Sequence, residues 1–209
     1  VSYFDFNYWV PLIFAGLLAL YFIIHLHPVN LGMFSAGFAG ASVEVVLLVA
    51  FQILYGYVYN IVGFIVTVFM AGLAFGTFYR EKIIHKTTVR SFYRLQFVLG
   101  GFAAMLPLIF LLFINIYVPS VLIHAIFIML MFVTSALVGM VFSLASQLRL
   151  RKLVTVASDV YSVDLLGAGI GSFLVTVYLI PVVGVINVCL VIGALSLVSG
   201  LMSLVSLKR

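Results

Sequence analysis

Charge is what this sequence has least of. Only 7 % of its 209 residues are charged, against about 25 % in soluble domains. Cysteine is nearly absent as well: Cys189 stands alone, which excludes an internal disulfide and a thiolate metal cluster. There is no proline- or serine-rich linker, and the one substantial polar stretch runs from Arg80 to Arg94. That leaves no room for a soluble domain. What fills the chain is apolar: 66 % of residues are hydrophobic and the mean hydropathy is +1.38. A chain of this length cannot hide so much apolar surface from water in a globular core. The composition specifies an all-α integral membrane protein.

The few cations are ordered. All ten Lys and Arg fall in three patches. Arg80, Lys82, Lys86, Arg90 and Arg94 form the first, Arg149, Arg151 and Lys152 the second, Lys208 and Arg209 the third. Two membrane crossings fit between each successive pair, so all three patches lie on one face. By the positive-inside rule that face is cytoplasmic. The net charge of +5 therefore reflects orientation and anionic lipid headgroups. Nucleic-acid binding is excluded because no basic face with stacking aromatics exists outside the bilayer.

A crossing takes roughly 20 apolar residues. Seven segments qualify: Tyr8–His25, Leu31–Tyr57, Ile61–Tyr79, Leu95–Ile116, Ser120–Gln147, Asp159–Ile180 and Val182–Leu207. Pro28, Pro119 and Pro181 fall at the turns, while Pro107 lies within the fourth segment and is expected to kink it. Counting back from the basic patches sets the N-terminus outside and the C-terminus inside. Tyr3, Phe4, Phe6, Tyr8 and Trp9 then suit an outer aromatic belt. An alternative is a first segment that lies on the membrane surface or re-enters. The chain starts at Val1 without a secretory signal, so it reads as processed or excised from something longer. The domain expectation is a lead-in helix and turn (1–30) followed by a six-helix bundle (31–209).

Polar residues inside the apolar segments are the candidate sites. Glu44 sits mid-segment, where a carboxylate costs about 2.5–3.5 kcal/mol or more. Helical spacing puts Gly37, Gly40, Ala41, Gln52 and Tyr55 broadly on its face. Glu44 is either a proton, cation or substrate contact or a structural carboxylic acid bonded to a neighbouring helix. Asp159 after Ser158 fits a helix N-cap or first-turn position. Asp164 lies deeper, and is expected to reach the interface or meet Arg149–Lys152. Gly167–Gly171 is a glycine-rich run without the strand–turn–helix context of a dinucleotide loop. Gly167 and Gly171, like Gly72 and Gly76, are four apart, a spacing that brings helices close together. His25, His27 and His85 fall at the inner side and His124 near the outer one, so bis-histidine haem ligation is disfavoured. No metal site, no cofactor and no catalytic constellation is expected.

Three stretches carry a resemblance: Phe34–Tyr59 with Gly37 and Glu44, Val68–Lys82 with the Gly72/Gly76 pair, and Asp164–Val185. They resemble the transmembrane domain of membrane-bound spermidine-synthase-like proteins, whose hydrophobic bundle accompanies a soluble aminopropyltransferase domain. The same residues resemble one six-helix half of a major-facilitator transporter, with Gly76–Lys82 at the short basic loop after its second helix. The glycine-rich donor loop and the acidic substrate residues of the synthase domain have no counterpart here, so no catalytic role carries over.

The leading functional expectation is a non-catalytic module that anchors or scaffolds a larger membrane complex in a bacterial inner membrane. Its expected partners are the lipid bilayer, other membrane subunits or a second copy of the chain. One alternative is a component of a transporter for a small solute, such as a cation or polyamine, with Glu44 at the midplane. Another is a redox-complex subunit that holds haem or quinone.

Overall fold

The structure, a computed structural model, describes residues 28–55, 59–85, 87–115, 119–149 and 155–205. Those residues hold six α-helices and no strand: α1 (Pro28–Tyr55), α2 (Tyr59–Ile83), α3 (Val89–Asn115), α4 (Ser120–Arg149), α5 (Thr155–Leu174) and α6 (Ile180–Val205). A π-helical turn, Val175–Leu179, joins α5 to α6. The expected lead-in helix, Lys86, Arg151, Lys152, and the side chains of Tyr55 and Arg149 lie outside the described residues.

Among the described residues, five helical stretches are long and apolar enough to cross a membrane. Four are single-helix length. The fifth, Val160–Leu201, has 42 residues and reaches about 63 Å, twice the roughly 30 Å of a hydrocarbon core. This stretch doubles back. Near one end Asp164 meets Gly37 in the first half of α1, and near the other Ser199 bonds Gln96 beside Gly32 of the same helix.

The reversal differs from its sequence expectation. The turn was expected around Pro181, yet Pro181 lies within α6 and Gly184 carries the break, with φ 80° and ψ 162°. A side chain would strain that positive φ, and glycine has none. Pro107 lies inside α3, where the sequence placed it. Its missing N–H is tolerated where neighbouring helices hold the segment in place, and Ala103, Leu106 and Phe110 around it are all buried. α5 starts at Thr155, so Asp159 stands past both the N-cap and the first turn.

Helix pairing follows a repeated scheme. The three most extensive pairs are α2 with α4, α5 with α1, and α3 with α6; α1 also packs on α6, and α4 more lightly on α3. Exchanging α1 with α4, α2 with α5 and α3 with α6 maps this scheme onto itself. Each half has an odd number of helices, so successive halves traverse the bundle in opposite directions, the geometry of an inverted repeat.

The repeat is built from small residues. A β-carbon on Gly72 would lie 2.7 Å from the Phe132 carbonyl oxygen, and one on Gly76 the same distance from the Ala136 carbonyl carbon. In the other half, a β-carbon on Gly171 would lie 2.7 Å from the Phe38 carbonyl oxygen, and Gly167 abuts the Phe34 backbone. Lipid tails are as apolar as the helices, so association rests on such close van der Waals contact. Both glycine pairs are therefore occupied within this chain. The core they enclose includes Met33, Val43 and Val46 of α1 with Val141, Leu144 and Ala145 of α4.

Candidate functional site

Four polar features stand in the bundle, and the structure keeps them apart. The first is Glu44. It lies on a half-buried strip of α1 formed by Ala41, Glu44, Val45 and Leu48, which continues into exposed Gln52. These positions recur at helical spacing and share one face. The expected stripe with Gly37 and Gly40 is split: Gly37 packs on Asp164 of α5 and Gly40 on Val138 of α4. Among the described residues no hydrogen bond or ion pair reaches the Glu44 carboxylate.

The second feature is Asp164. Expected to reach the membrane surface or the Arg149–Lys152 patch, it instead faces α1, with Oδ1 2.6 Å from where a Gly37 β-carbon would stand. That oxygen is buried and accepts no hydrogen bond. The absence of a side chain at position 37 makes the approach possible. Glu44 and Asp164 do not form a pair, since Glu44 lies two turns further along α1 than Gly37.

A buried amide node forms the third. Gln96 of α3 is 1 % exposed; its Nε2 donates to the Gly32 carbonyl at 2.5 Å, and Ser199 Oγ donates to its Oε1 at 2.8 Å. One side chain thus ties α1, α3 and α6 together. Gln96→Leu is expected to lower thermal stability in detergent by about 1–3 kcal/mol, the cost of stranding buried polar partners. A conservative Gln96→Glu change tests the donor specifically, because a carboxylate cannot donate to Gly32. Thermal unfolding of both variants reads the effect.

The fourth lies at the end of the bundle that carries the basic residues. Arg80 was expected in an open basic patch, but it is 2 % exposed. Its NH1 donates to Gln147 Oε1 of α4 and its NH2 to Thr87 Oγ1, both at 2.6 Å. Thr87 Oγ1 also donates to Gln147 Oε1 at 3.0 Å, and Gln147 Nε2 to Glu81 Oε1 at 3.0 Å. Glu81 is the nearest carboxylate, 4.0 Å from Arg80, and is largely exposed. The guanidinium thus rests mainly on neutral oxygens, with NH1 and NH2 bonded to partners from different segments and a buried Nε that donates to none. Lys82, Arg90 and Arg94 remain exposed at this end.

The two described histidines stay apart, and His25 and His27 lie outside the described residues. His85 is exposed in the α2–α3 connection, whereas His124 stands in the first turns of α4, 23 residues before Gln147 and so about 35 Å along the helix from the Arg80 cluster. His124 packs edge-on to Phe51 with ring centroids 5.1 Å apart. The cavity beside it, lined by Leu47, Phe51 and Phe127, measures about 130 Å³, below the roughly 300–1,000 Å³ of small-molecule sites. A larger apolar cavity of about 280 Å³ opens between α1, α5 and α6. Glu44 lines neither. No cluster of three metal-ligating side chains occurs among the described residues.

No family model, curated protein or solved structure matches this chain. Its reading rests on its own residues.

The sequence pointed to the acidic residues and to Gln52 but not to Gln96 or Gln147. Gln96 and Gln147, together with Thr87 and Ser199, make bonds between distant segments, as does Thr77, whose Oγ1 donates to the Gly139 carbonyl at 3.3 Å. The signal was present: an amide inside a long apolar segment is costly unless it bonds across to another helix.

Proposed function

We propose that this chain is a non-catalytic polytopic membrane module that anchors or scaffolds a larger membrane assembly, with its basic end on the cytoplasmic side. The observation that carries the reading is the Glu44 strip. Its carboxylate is half-buried in the middle of a membrane-length helix and has no hydrogen-bonding partner among the described residues. In contact with lipid it would cost about 2.5–3.5 kcal/mol or more. A second polypeptide that covers Ala41, Glu44, Leu48 and Gln52 removes that cost. The glycine faces supply rigidity, since they are used up inside the bundle and hold it as one packed unit.

The test is gentle extraction from the native membrane followed by mass spectrometry of stoichiometric co-purifying proteins. The scaffold reading expects defined partners, retained in Glu44→Gln because the amide still hydrogen-bonds, and reduced about tenfold or more in Glu44→Leu, equivalent to about 1.4 kcal/mol of lost contact. Recovery of the chain alone, unchanged by either substitution, contradicts it.

A second reading has its own support. The inverted pairing of two three-helix units is the arrangement in which solute transporters place a midplane site, and it accords with the resemblance to a major-facilitator half. A second copy or partner half then completes a path for a small solute past Glu44. Under that reading Glu44→Gln abolishes flux in reconstituted vesicles and leaves assembly intact.

A further inference from the structure

Three of the described arginines stand inside membrane-length stretches, and their surroundings differ. Arg80 lies within Gly63–Ile83 and is buried, with Gln147 and Thr87 as hydrogen-bond partners. Arg90 and Arg94 lie within Val89–Leu112 and are exposed. Among the described residues no hydrogen bond or ion pair reaches either of them. Arg94 stands about 8 Å from the start of its stretch, a depth from which a long cationic side chain reaches back to the headgroups. The two are four residues apart on one helix, so their β-carbons lie about 5–6 Å from each other and their charges repel. Lys82 at the same end is different, since its Nζ sits over the Tyr79 ring, 5.2 Å from the centroid. The arginine pair is a concentrated positive charge that the described residues leave uncompensated.

The same face of α3 continues as an apolar strip. Positions 94, 98, 101, 105 and 108 recur at helical spacing. Val98, Met105 and Leu108 are exposed, and a β-carbon on Gly101 would meet nothing within 4 Å. Gly101 therefore leaves a notch about 10 Å past Arg94, and Met105 lies about 16 Å past it. Half of a hydrocarbon core is about 15 Å deep. This face thus presents two guanidiniums followed by a notched apolar strip one leaflet long, which complements a phospholipid with its headgroup at the basic end.

We propose that this face of α3 holds one anionic phospholipid of the cytoplasmic leaflet, with Arg90 and Arg94 on its phosphate and an acyl chain along Val98, Gly101 and Met105. A guanidinium matches a phosphate through paired N–H donors, and the cytoplasmic leaflet is the one rich in anionic lipids. A headgroup of net negative charge offsets the repulsion between the two arginines. The site rests on the basic end facing that leaflet and holds under either functional reading. It is discrete, because it uses two arginines on one helix face, whereas a diffuse surface potential would weigh every exposed cation alike.

Native mass spectrometry of the full chain released from nanodiscs tests this, with phosphatidylcholine alone and with added phosphatidylglycerol as the anionic probe. The expected result is one retained phosphatidylglycerol per chain in the wild type. The Arg90→Gln/Arg94→Gln double variant is expected to bind it about tenfold or more weakly, as loss of charge-assisted hydrogen bonds requires, and Lys82→Gln to bind it as the wild type does. Arg94→Lys keeps the charge and loses the fork, so it is expected to fall between the wild type and Arg94→Gln; this comparison decides the matter where the double variant fails to insert. Gly101→Leu fills the notch and is expected to weaken retention of the long-chain lipid. Full retention in the double variant overturns the proposal. Equal losses in Lys82→Gln and the double variant overturn it too, in favour of diffuse attraction. Displacement of the lipid by inorganic phosphate at matched concentration overturns the lipid assignment and makes the arginine pair a site for a soluble anion.

Discussion

Gly76→Leu is expected to leave little folded protein in the membrane. A β-carbon at position 76 collides with the Ala136 backbone, and a backbone cannot rotate aside as a side chain can. The whole α2–α4 contact, one of the three most extensive in the bundle, would have to open to admit the new side chain. Overpacking of a close-packed site costs about 1–3 kcal/mol and occasionally more. Collision with backbone places this case at or beyond the upper end. Gly169→Leu is the matched control, since a β-carbon there meets nothing within 4 Å. That variant is expected to stay within about 0.5 kcal/mol of wild type. Thermal unfolding in detergent separates the two, and equal stabilities would show that the α2–α4 contact tolerates separation.

Gln147→Leu is expected to have the next largest effect. Gln147 accepts from Arg80 and Thr87 and donates to Glu81, so its loss leaves a guanidinium that is 2 % exposed with Thr87 as its remaining hydrogen-bond partner. Hydrogen bonds to charged groups contribute about 1.5–3 kcal/mol, and stranding the buried partner adds its desolvation. Arg80→Leu removes the buried charge together with its need for partners, so it is expected to cost less than Gln147→Leu. The double substitution is expected to be less destabilised than Gln147→Leu alone, because no buried cation is then left unpaired. A double-mutant cycle on thermal unfolding checks the order. Gln147→Leu as mild as an exposed substitution would mean that water reaches Arg80 readily.

The two substitutions probe different kinds of information in the chain. The glycine pairs were legible in the sequence because four-residue spacing of small residues is a local pattern. Their partners were not, and Phe132 and Ala136 bear no mark that sets them apart from other residues of α4. Arg80 misled more directly. A cation beside Lys82 reads as part of a solvated patch, yet its bonds run to Thr87 and to Gln147, which lies 67 residues on. Asp164 was similar, since its proximity to basic residues in sequence implied a surface role and a missing side chain at position 37 drew it against α1 instead. Glu44 was recognisable as costly from depth alone. That Gly37 and Gly40 turn away from it, towards α5 and α4, depends on where those helices cross.

The sequence by itself determined the helical class, the described helices to within six residues at each end, and the clustering of the described cations at one end of the bundle. These follow from a local requirement: backbone groups in hydrocarbon must bond within their own segment, so about 20 apolar residues declare a helix wherever they occur. Only the tertiary structure decided which helices touch, which polar groups are buried, and where the fifth apolar stretch turns back. A helix bound for lipid is apolar on every face, so its periodicity does not mark the face that meets a neighbour. The choice falls to shape, through glycines that admit a backbone and amides that bond across a gap, and those complementarities exist only once distant segments are side by side.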